Sequence, residues 1–355
     1  MASHLTSRRE PLVRMVKRDS IGRGKITLVR VLAVLGALIT GALLITALGF
    51  NPVAVYSDMI KGSLGGATGR IETIRLAIPL LITSLAISLA FKMRFWNIGA
   101  EGQILVGAMA ASYFALFQAE NLPRPALIAV MALPAVFHAK WGTNETLFTL
   151  MLNYIALRFL GYLENDPWKD PNLRGFPKIA MFSNAAKLPK VFDVHIGWIV
   201  ALVLVFLVYI YLSRSKHGYE ISVVGESTRT AKYAGMSVAK IIMRTMFISG
   251  AMAGLVGFIQ VSGADYTLTE TTAGGTGFTA ITVAWLSKLN PVIMMFVSFA
   301  IAVLEKGSNK IQTTFKIPAS AAEVLTGIIL FFMLGCEFFI NYKLIFRGRK
   351  GRVHG

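Results

Sequence analysis

Asn97, Glu101 and Gln103 fall in one short stretch, Asn97-Ile98-Gly99-Ala100-Glu101-Gly102-Gln103, between two strongly apolar runs, Leu76 to Ala90 and Ile104 to Phe117. Two amides and a carboxylate offer hydrogen-bond donors and acceptors suited to hydroxyls and heterocycle edges. A carboxylate at membrane depth costs about 2.5–3.5 kcal/mol on insertion scales, so such groups face a cavity or a pathway. On a helix Asn97 and Glu101 lie four apart and share a face, while Gly99 and Gly102 let a neighbouring backbone come close. Asn153 stands near the middle of a further apolar run, Leu147 to Leu163, and Phe278 follows the glycine cluster Gly274-Gly275-Thr276-Gly277. These five residues, Asn97, Glu101, Gln103, Asn153 and Phe278, are the candidates for lining a translocation route.

The elements that must position them are membrane helices. The chain has 355 residues, 55% hydrophobic and only 15% charged, against about a quarter charged for a soluble domain. Nearly uncharged windows of twenty residues recur, each able to cross about 30 Å of hydrocarbon. Their apolar runs are continuous rather than alternating, which excludes a β-barrel. The expected class is an all-α polytopic membrane protein of about ten transmembrane helices, with eight as the runner-up count.

Net charge is +18, but its distribution speaks for topology and lipid contact, not nucleic acid. Eight Lys/Arg lie in residues 1–30 and five in the tail from Lys343 to Arg352. Residues 213–244 are basic as well, and such segments stay on the cytoplasmic side. Cys336 is the one cysteine, so no disulfide or thiolate metal site forms within one chain. The histidines, His4, His138, His195, His217 and His354, have no metal-ligand spacing and read as solvated or interfacial. Nor does the N-terminus read as a cleavable signal peptide.

Taken in order, residues 1–26 form a basic cytoplasmic arm, 27–342 a single transmembrane domain, and 343–355 a basic cytoplasmic tail. Spans are expected over 28–50, 75–90, 97–118, 147–163, 196–212, 245–261, 292–304 and 321–342. Two shorter runs, 125–140 with Pro134 and the one opening at Gly274, complete ten or, if re-entrant, leave eight. Asn51 to Glu72 reads as a mixed loop, 164–194 as an external loop, and 213–243 as a cytoplasmic segment. Gly250, Gly254 and Gly257 give the 245–261 span a small-residue packing face. Glu305, Glu323 and Glu337 fall near expected helix ends and read as snorkelling groups. Glycine-rich breaks lead into small-residue helices at 97–111 and 274–285, and paired interruptions of this kind point to a transporter's solute site.

The stretch from Phe95-Trp96-Asn97 to Gln103 resembles the Asn-[Ile/Val]-Gly-Ala-Glu-Gly-Gln signature of ABC importer permeases of the nucleoside and simple-sugar branch, which work with basic-membrane-protein-type lipoproteins. Asn144-Glu145 with Thr149-Leu150-Met151-Leu152-Asn153-Tyr154, Pro167-Trp168-Lys169-Asp170-Pro171, Tyr233-Ala234-Gly235, Gly277-Phe278-Thr279-Ala280-Ile281 and Leu289-Asn290-Pro291 follow in similar order over residues 50–340. The resemblance implies a bacterial cytoplasmic-membrane protein with both termini inside. It also implies a second permease subunit, the same or homologous, a cytoplasmic ABC ATPase carrying ATP and Mg, and an external substrate-binding lipoprotein. This chain carries no cofactor and no Gly-x-x-x-x-Gly-Lys-[Ser/Thr] loop of its own.

ATPase coupling falls, by the same resemblance, to the segment from Val224 to Gly235: Gly225, Arg229, Ala231, Tyr233, Ala234 and Gly235. The family pattern Glu-Ala-Ala-x-x-x-Gly keeps its spacing from Ala231 to Gly235, but Arg229 stands where an acid is usual. Pro167, Trp168, Lys169 and Asp170 form a rigid external turn suited to the binding protein. Competing readings are an ion-coupled secondary transporter, a membrane-embedded enzyme, for which no paired catalytic motif is present, and a same-superfamily permease for ribose- or galactose-type sugars.

Overall fold

The computed structural model describes residues 13–17, 22–118, 145–172 and 175–346. Twelve helices follow one another in these residues. They are α1 (Arg23–Ala47), α2 (Pro52–Leu64), α3 (Ala67–Lys92), α4 (Ala100–Phe117), α5 (Glu145–Asn165), α6 (Gly197–Arg214), α7 (Lys216–Glu226), α8 (Thr228–Tyr233), α9 (Val238–Gln260), α10 (Thr276–Leu286), α11 (Pro291–Phe315) and α12 (Ala319–Asn341). Four short strands accompany them: β1 (Val13–Lys17), β2 (Lys190–Val191), β3 (Val194–His195) and β4 (Tyr342–Phe346). Seven helices are long and apolar enough to cross a membrane: α1, α3, α4, α6, α9, α11 and α12. With the 21-residue α5 and the 11-residue α10, the candidate spans among the described residues come to nine. The short run 125–140 and Asn144 lie outside the described residues.

The chain divides into two compact units, 1–56 with 317–355, and 57–316. In the first, α1 packs along α12. Gly36 lies under the Phe332 ring and Gly41 against Leu325, and Arg30 donates to Glu337 at 2.5 Å. β1 pairs antiparallel with β4, Val13 opposite Phe346 and Lys17 opposite Tyr342. This pairing joins part of the basic arm to the first residues of the basic tail.

In the second unit α3 is the central element, contacted by α6, α9, α10 and α11. It is buried almost continuously from Ala77 to Phe91, as a helix apolar all round must be. Ser249 of α9 donates to the Ala86 carbonyl of α3 at 2.7 Å. The small-residue face of α9 meets α4 as the sequence predicts: a Cβ on Gly257 would strike the Ile104 carbonyl, and one on Gly107 the Gly254 backbone. Such contacts let two helix backbones approach without side chains between them.

Three sequence expectations need correction. Asn51 to Glu72 is α2 plus the start of α3, not a loop. Asn51 accepts from the Val53 amide at 3.0 Å and Pro52 takes the first helical position, a start signal in which the cap and proline act together. α11 runs on past Leu304 to Phe315, so Glu305 sits within that helix, not at its end. His195, read as solvated or interfacial, is instead buried in the protein at 1% exposure, its ring lying over Gly197 and Gly263.

Candidate functional site

The Asn97–Gln103 stretch begins where α3 ends. Met93 and Arg94 close the helix with bonds to the Ala90 and Phe91 carbonyls, and Arg94 takes a positive φ of 58°. Residues 95–98 then belong to no helix or strand before α4 starts at Ala100. The Phe95 and Asn97 amides turn back to the Ala90 and Phe95 carbonyls, and the other backbone groups of such an irregular segment need partners from outside it.

Those partners are the polar residues singled out by the sequence. Asn153 of α5 uses both ends of its amide: Oδ1 accepts from the Gly102 amide at 2.8 Å and Nδ2 donates to the Ile98 carbonyl at 2.9 Å. One turn earlier, Thr149 accepts from the Ile98 amide at 3.3 Å. Asn97 is fully buried; its Oδ1 accepts from the Gly99 amide at 3.0 Å and its Nδ2 approaches Gln103 Oε1 at 3.4 Å. Gly99 and Gly102 are needed because a Cβ at either would meet Thr149 or Asn153 at 2.8 Å.

Glu101 joins the two glycine-rich breaks. Its Oε1 accepts from the Gly275 amide at 2.7 Å and its Oε2 from the Gly277 amide at 2.6 Å. These are the first amides of α10, where the helix has no internal acceptors and its dipole is positive. A carboxylate in such a partly buried place is worth up to about 2 kcal/mol. Gly275 reaches it through a left-handed φ of 78°, a conformation that glycine adopts at little cost.

Of the five pathway candidates, Asn97, Glu101 and Asn153 bond to the protein itself, and Gln103, half-buried, accepts from Asn97 while Phe278, next to Gly277, is 45% exposed. Sequence reading missed the aromatic group beside them. Trp96 and Trp285 rings lie 5.7 Å apart, and each lies within 5.8 Å of Phe91. The available signal was the tryptophan immediately preceding Asn97.

Of the coupling candidates, Gly225 lies in α7 with its Cα face on the Lys92 carbonyl and Met93, the last turn of α3. Ser227 caps α8 by accepting from Thr230 at 3.2 Å. Ala231 is buried, whereas Arg229, Ala234 and Gly235 are exposed and Tyr233 is 93% exposed. Gly235 takes φ 74° and the Met236 amide returns to the Ala231 carbonyl at 3.0 Å, closing the helix. A pair unnoticed in the sequence ties α7 to α9: Arg244 donates to Glu220 at 2.9 Å, with His217 also on that carboxylate at 3.3 Å.

In the 164–194 loop, Trp168 packs between Tyr113 and Phe117 of α4, at 6.4 and 5.8 Å. The Asp170 amide donates to the Lys178 carbonyl at 2.9 Å, and Lys169 bridges to Ile179. Pro167 and Lys169 remain exposed on this ordered turn.

A bundle of apolar helices whose polar side chains bond inward, with the short helix α7 against the end of its central member and α8 beside α7, is the arrangement of a polytopic membrane protein, and its family makes it the permease component of a transporter. Residues 69–334 match the family described as "Branched-chain amino acid transport system / permease component", and the chain belongs to that family. It is 32% identical over 339 residues to the glucose ABC transporter permease protein TsgB13 of Haloferax volcanii, covering 88% of each chain. Similarity also extends to the guanosine ABC transporter permease protein NupP of Bacillus subtilis, at 30% over 325 residues, 86% of this chain and 92% of that one. The nucleoside ABC transporter permease protein NupB of Lactococcus lactis is 28% identical over 348 residues, 89% and 93% of the two chains. The protein is a transport subunit; ATP hydrolysis resides in a separate ATPase subunit, and substrate-binding partners are general to the family.

Proposed function

We propose that the chain forms the translocation pathway of a binding-protein-dependent importer for nucleosides or related sugars. The observation that carries this reading is the Glu101 clamp on α10. It fixes two short segments whose next residues, Gln103 and Phe278, remain accessible, and an amide beside an aromatic face suits a hydroxylated ring compound. Asn97, Glu101 and Asn153 act by positioning those segments; Gln103 and Phe278 meet the solute. The names of the relatives support both solute classes, with glucose as the printed solute at 32% identity and guanosine at 30%.

In this reading α7 and α8 dock on the ATPase, which binds ATP and Mg, and Tyr233, Arg229 and Gly235 face it. Pro167, Trp168, Lys169 and Asp170 meet an external lipoprotein. A second permease, a copy or a homologue, completes the pathway, and both termini lie in the cytoplasm, as the positive-inside rule favours for the basic ends. Pairing of β1 with β4 supports placing residues 13–17 and 342–346 on one side of the membrane.

The test is uptake of labelled guanosine, uridine and glucose into vesicles containing the assembled transporter. Import of a nucleoside, abolished by vanadate and indifferent to a proton ionophore, is the expected outcome. Import of glucose alone would move the assignment to sugars, and uptake abolished by the ionophore but not by vanadate would refute ATP coupling.

A further inference from the structure

The later part of the loop after α5 folds onto the segment that leads into α10. The Leu188 amide donates to the Ser262 carbonyl at 2.9 Å, and the Phe182 amide to the Tyr266 carbonyl at 2.8 Å. Thr267 donates to the Ile179 carbonyl at 3.0 Å. Beside these bonds a cavity of about 460 Å³ opens to the surface, lined by Asn184, Lys187, Leu188, Pro189, Lys190 and Tyr266. Lys187 is held within it: Nζ donates to Asn184 Oδ1 at 3.1 Å and lies 5.0 Å from the centre of the Tyr266 ring. Tyr266 takes a left-handed φ of 57°, which a bulky residue keeps only where surrounding contacts outweigh local strain. It follows the π-helical turn Val261–Asp265, a feature frequent at functional sites.

Lys190 also opens a hairpin in which it pairs with His195, and Val191 with Val194. The turn is Phe192-Asp193, with φ of 54° and 61°. Two-residue turns of this kind call for Asn-Gly or Asp-Gly, because both central residues lie in the left-handed region. The Phe192 ring centre lies 6.4 Å from that of Trp198, yet 85% of the residue is exposed. Local preference does not account for a phenylalanine there, and neither does burial. Arg75 of α3 fixes the turn by donating to the Asp193 carbonyl at 3.2 Å.

Two lysines and no carboxylate appear among the residues lining the cavity. In the importer reading this loop faces outside, where lysines run against the usual cytoplasmic bias. Glucose and guanosine, named for the relatives, carry no charge and do not call for paired cations. A carboxylate on a protein surface does, and opposite charges across an interface steer encounter and fix register. An aromatic side chain beside such a pair is a common anchor of protein contacts.

We propose that Lys187, Lys190, Tyr266 and Phe192 form a docking surface for the external binding protein, the lysines receiving a surface carboxylate and Phe192 an apolar patch beside it. This rests on the importer reading and extends it beyond the 167–170 turn. The bonds to residues 262–267 join the surface to the segment that ends on the Glu101 clamp.

The test measures binding of the transporter's own binding protein, fluorescently labelled, to the permease–ATPase complex in nanodiscs. Lys187→Glu combined with Lys190→Glu is expected to weaken binding at least tenfold, and high salt to weaken the parent far more than this variant. Phe192→Gly relaxes the turn while removing the ring, so the hairpin is kept, and binding should fall several-fold. Parental binding by both variants overturns the proposal. Uptake of labelled inorganic phosphate by the parent, lost in the lysine variant, overturns it too, because the cavity then serves an anionic solute. Phe192→Cys, made with Cys336→Ala, carries an environment-sensitive fluorophore that the binding protein should shield; quenching by spin-labelled lipid instead overturns the proposal, since the hairpin then rests in the bilayer. A parent complex that takes up no binding protein at all refutes the importer reading and the surface with it. A parent that binds it no better than the variants refutes the surface alone.

Discussion

The Glu101 carboxylate oxygen lies 2.6 Å from the Gly277 amide, and Gly277 has no room for a side chain because its Cα face rests on the Glu101 backbone. One residue thus supplies the acceptor and the other the space. Gly277→Val should displace α10 from α4 and lower uptake by at least tenfold, with insertion and co-purification of the partners retained. Comparing uptake with the amount of assembled complex checks this.

Gly235 ends α8 in the left-handed region, with φ 74°. A Cβ there meets nothing within 4 Å, but the backbone of any other residue is strained by roughly 1–2 kcal/mol. Gly235→Leu is expected to loosen α8 and abolish solute-stimulated ATP hydrolysis while membrane insertion stays intact. Steady-state ATPase rates with and without the binding protein provide the readout.

Glu220 and Arg244 connect α7 to α9, and the Arg244 hydrogen bond holds the Glu220 carboxyl below the usual carboxylate range, with His217 adding to the effect. A depressed folded value means that the contact contributes stability above the ordinary carboxylate pKa and loses it as pH falls through the folded value. Glu220→Gln should reduce transport per ATP hydrolysed several-fold at neutral pH. The charge-exchanged pair Glu220→Arg with Arg244→Glu should recover part of that loss.

His195 gives the opposite kind of pH dependence. Burial, then Arg75 and Lys190, lower its pKa from 6.5 to about 4, and its Nδ1 has no hydrogen-bond partner among the described residues. The unfolded chain takes up the proton first, so stability is full above about pH 6.5 and falls as pH drops toward 4, by on the order of 3 kcal/mol. His195→Gln should flatten this part of the profile. Melting temperatures in detergent between pH 7 and 4 make the comparison.

Much of this arrangement is legible in the sequence because membrane depth makes polar residues conspicuous. Asn97, Glu101 and Asn153 announced themselves as amides and a carboxylate in oil, and Gly250, Gly254 and Gly257 as a packing face. Their partners were not legible, since Glu101 meets Gly275 and Gly277 across more than 170 positions and no local pattern encodes that distance. α2 was hidden by its glycines and mixed polarity, although Asn51-Pro52 is a helix start. Nothing local signals the burial of His195, which depends on Gly197 and on Gly263 of another segment.

The most direct test concerns Glu101 itself, replaced by alanine in the assembled transporter and assayed for ATP-driven guanosine uptake and ATP hydrolysis in the same proteoliposomes. Removal of both acceptors should reduce uptake at least tenfold while the complex still assembles and binds ATP. Uptake at the parent rate with alanine at position 101 would contradict the role of this carboxylate in holding the pathway together.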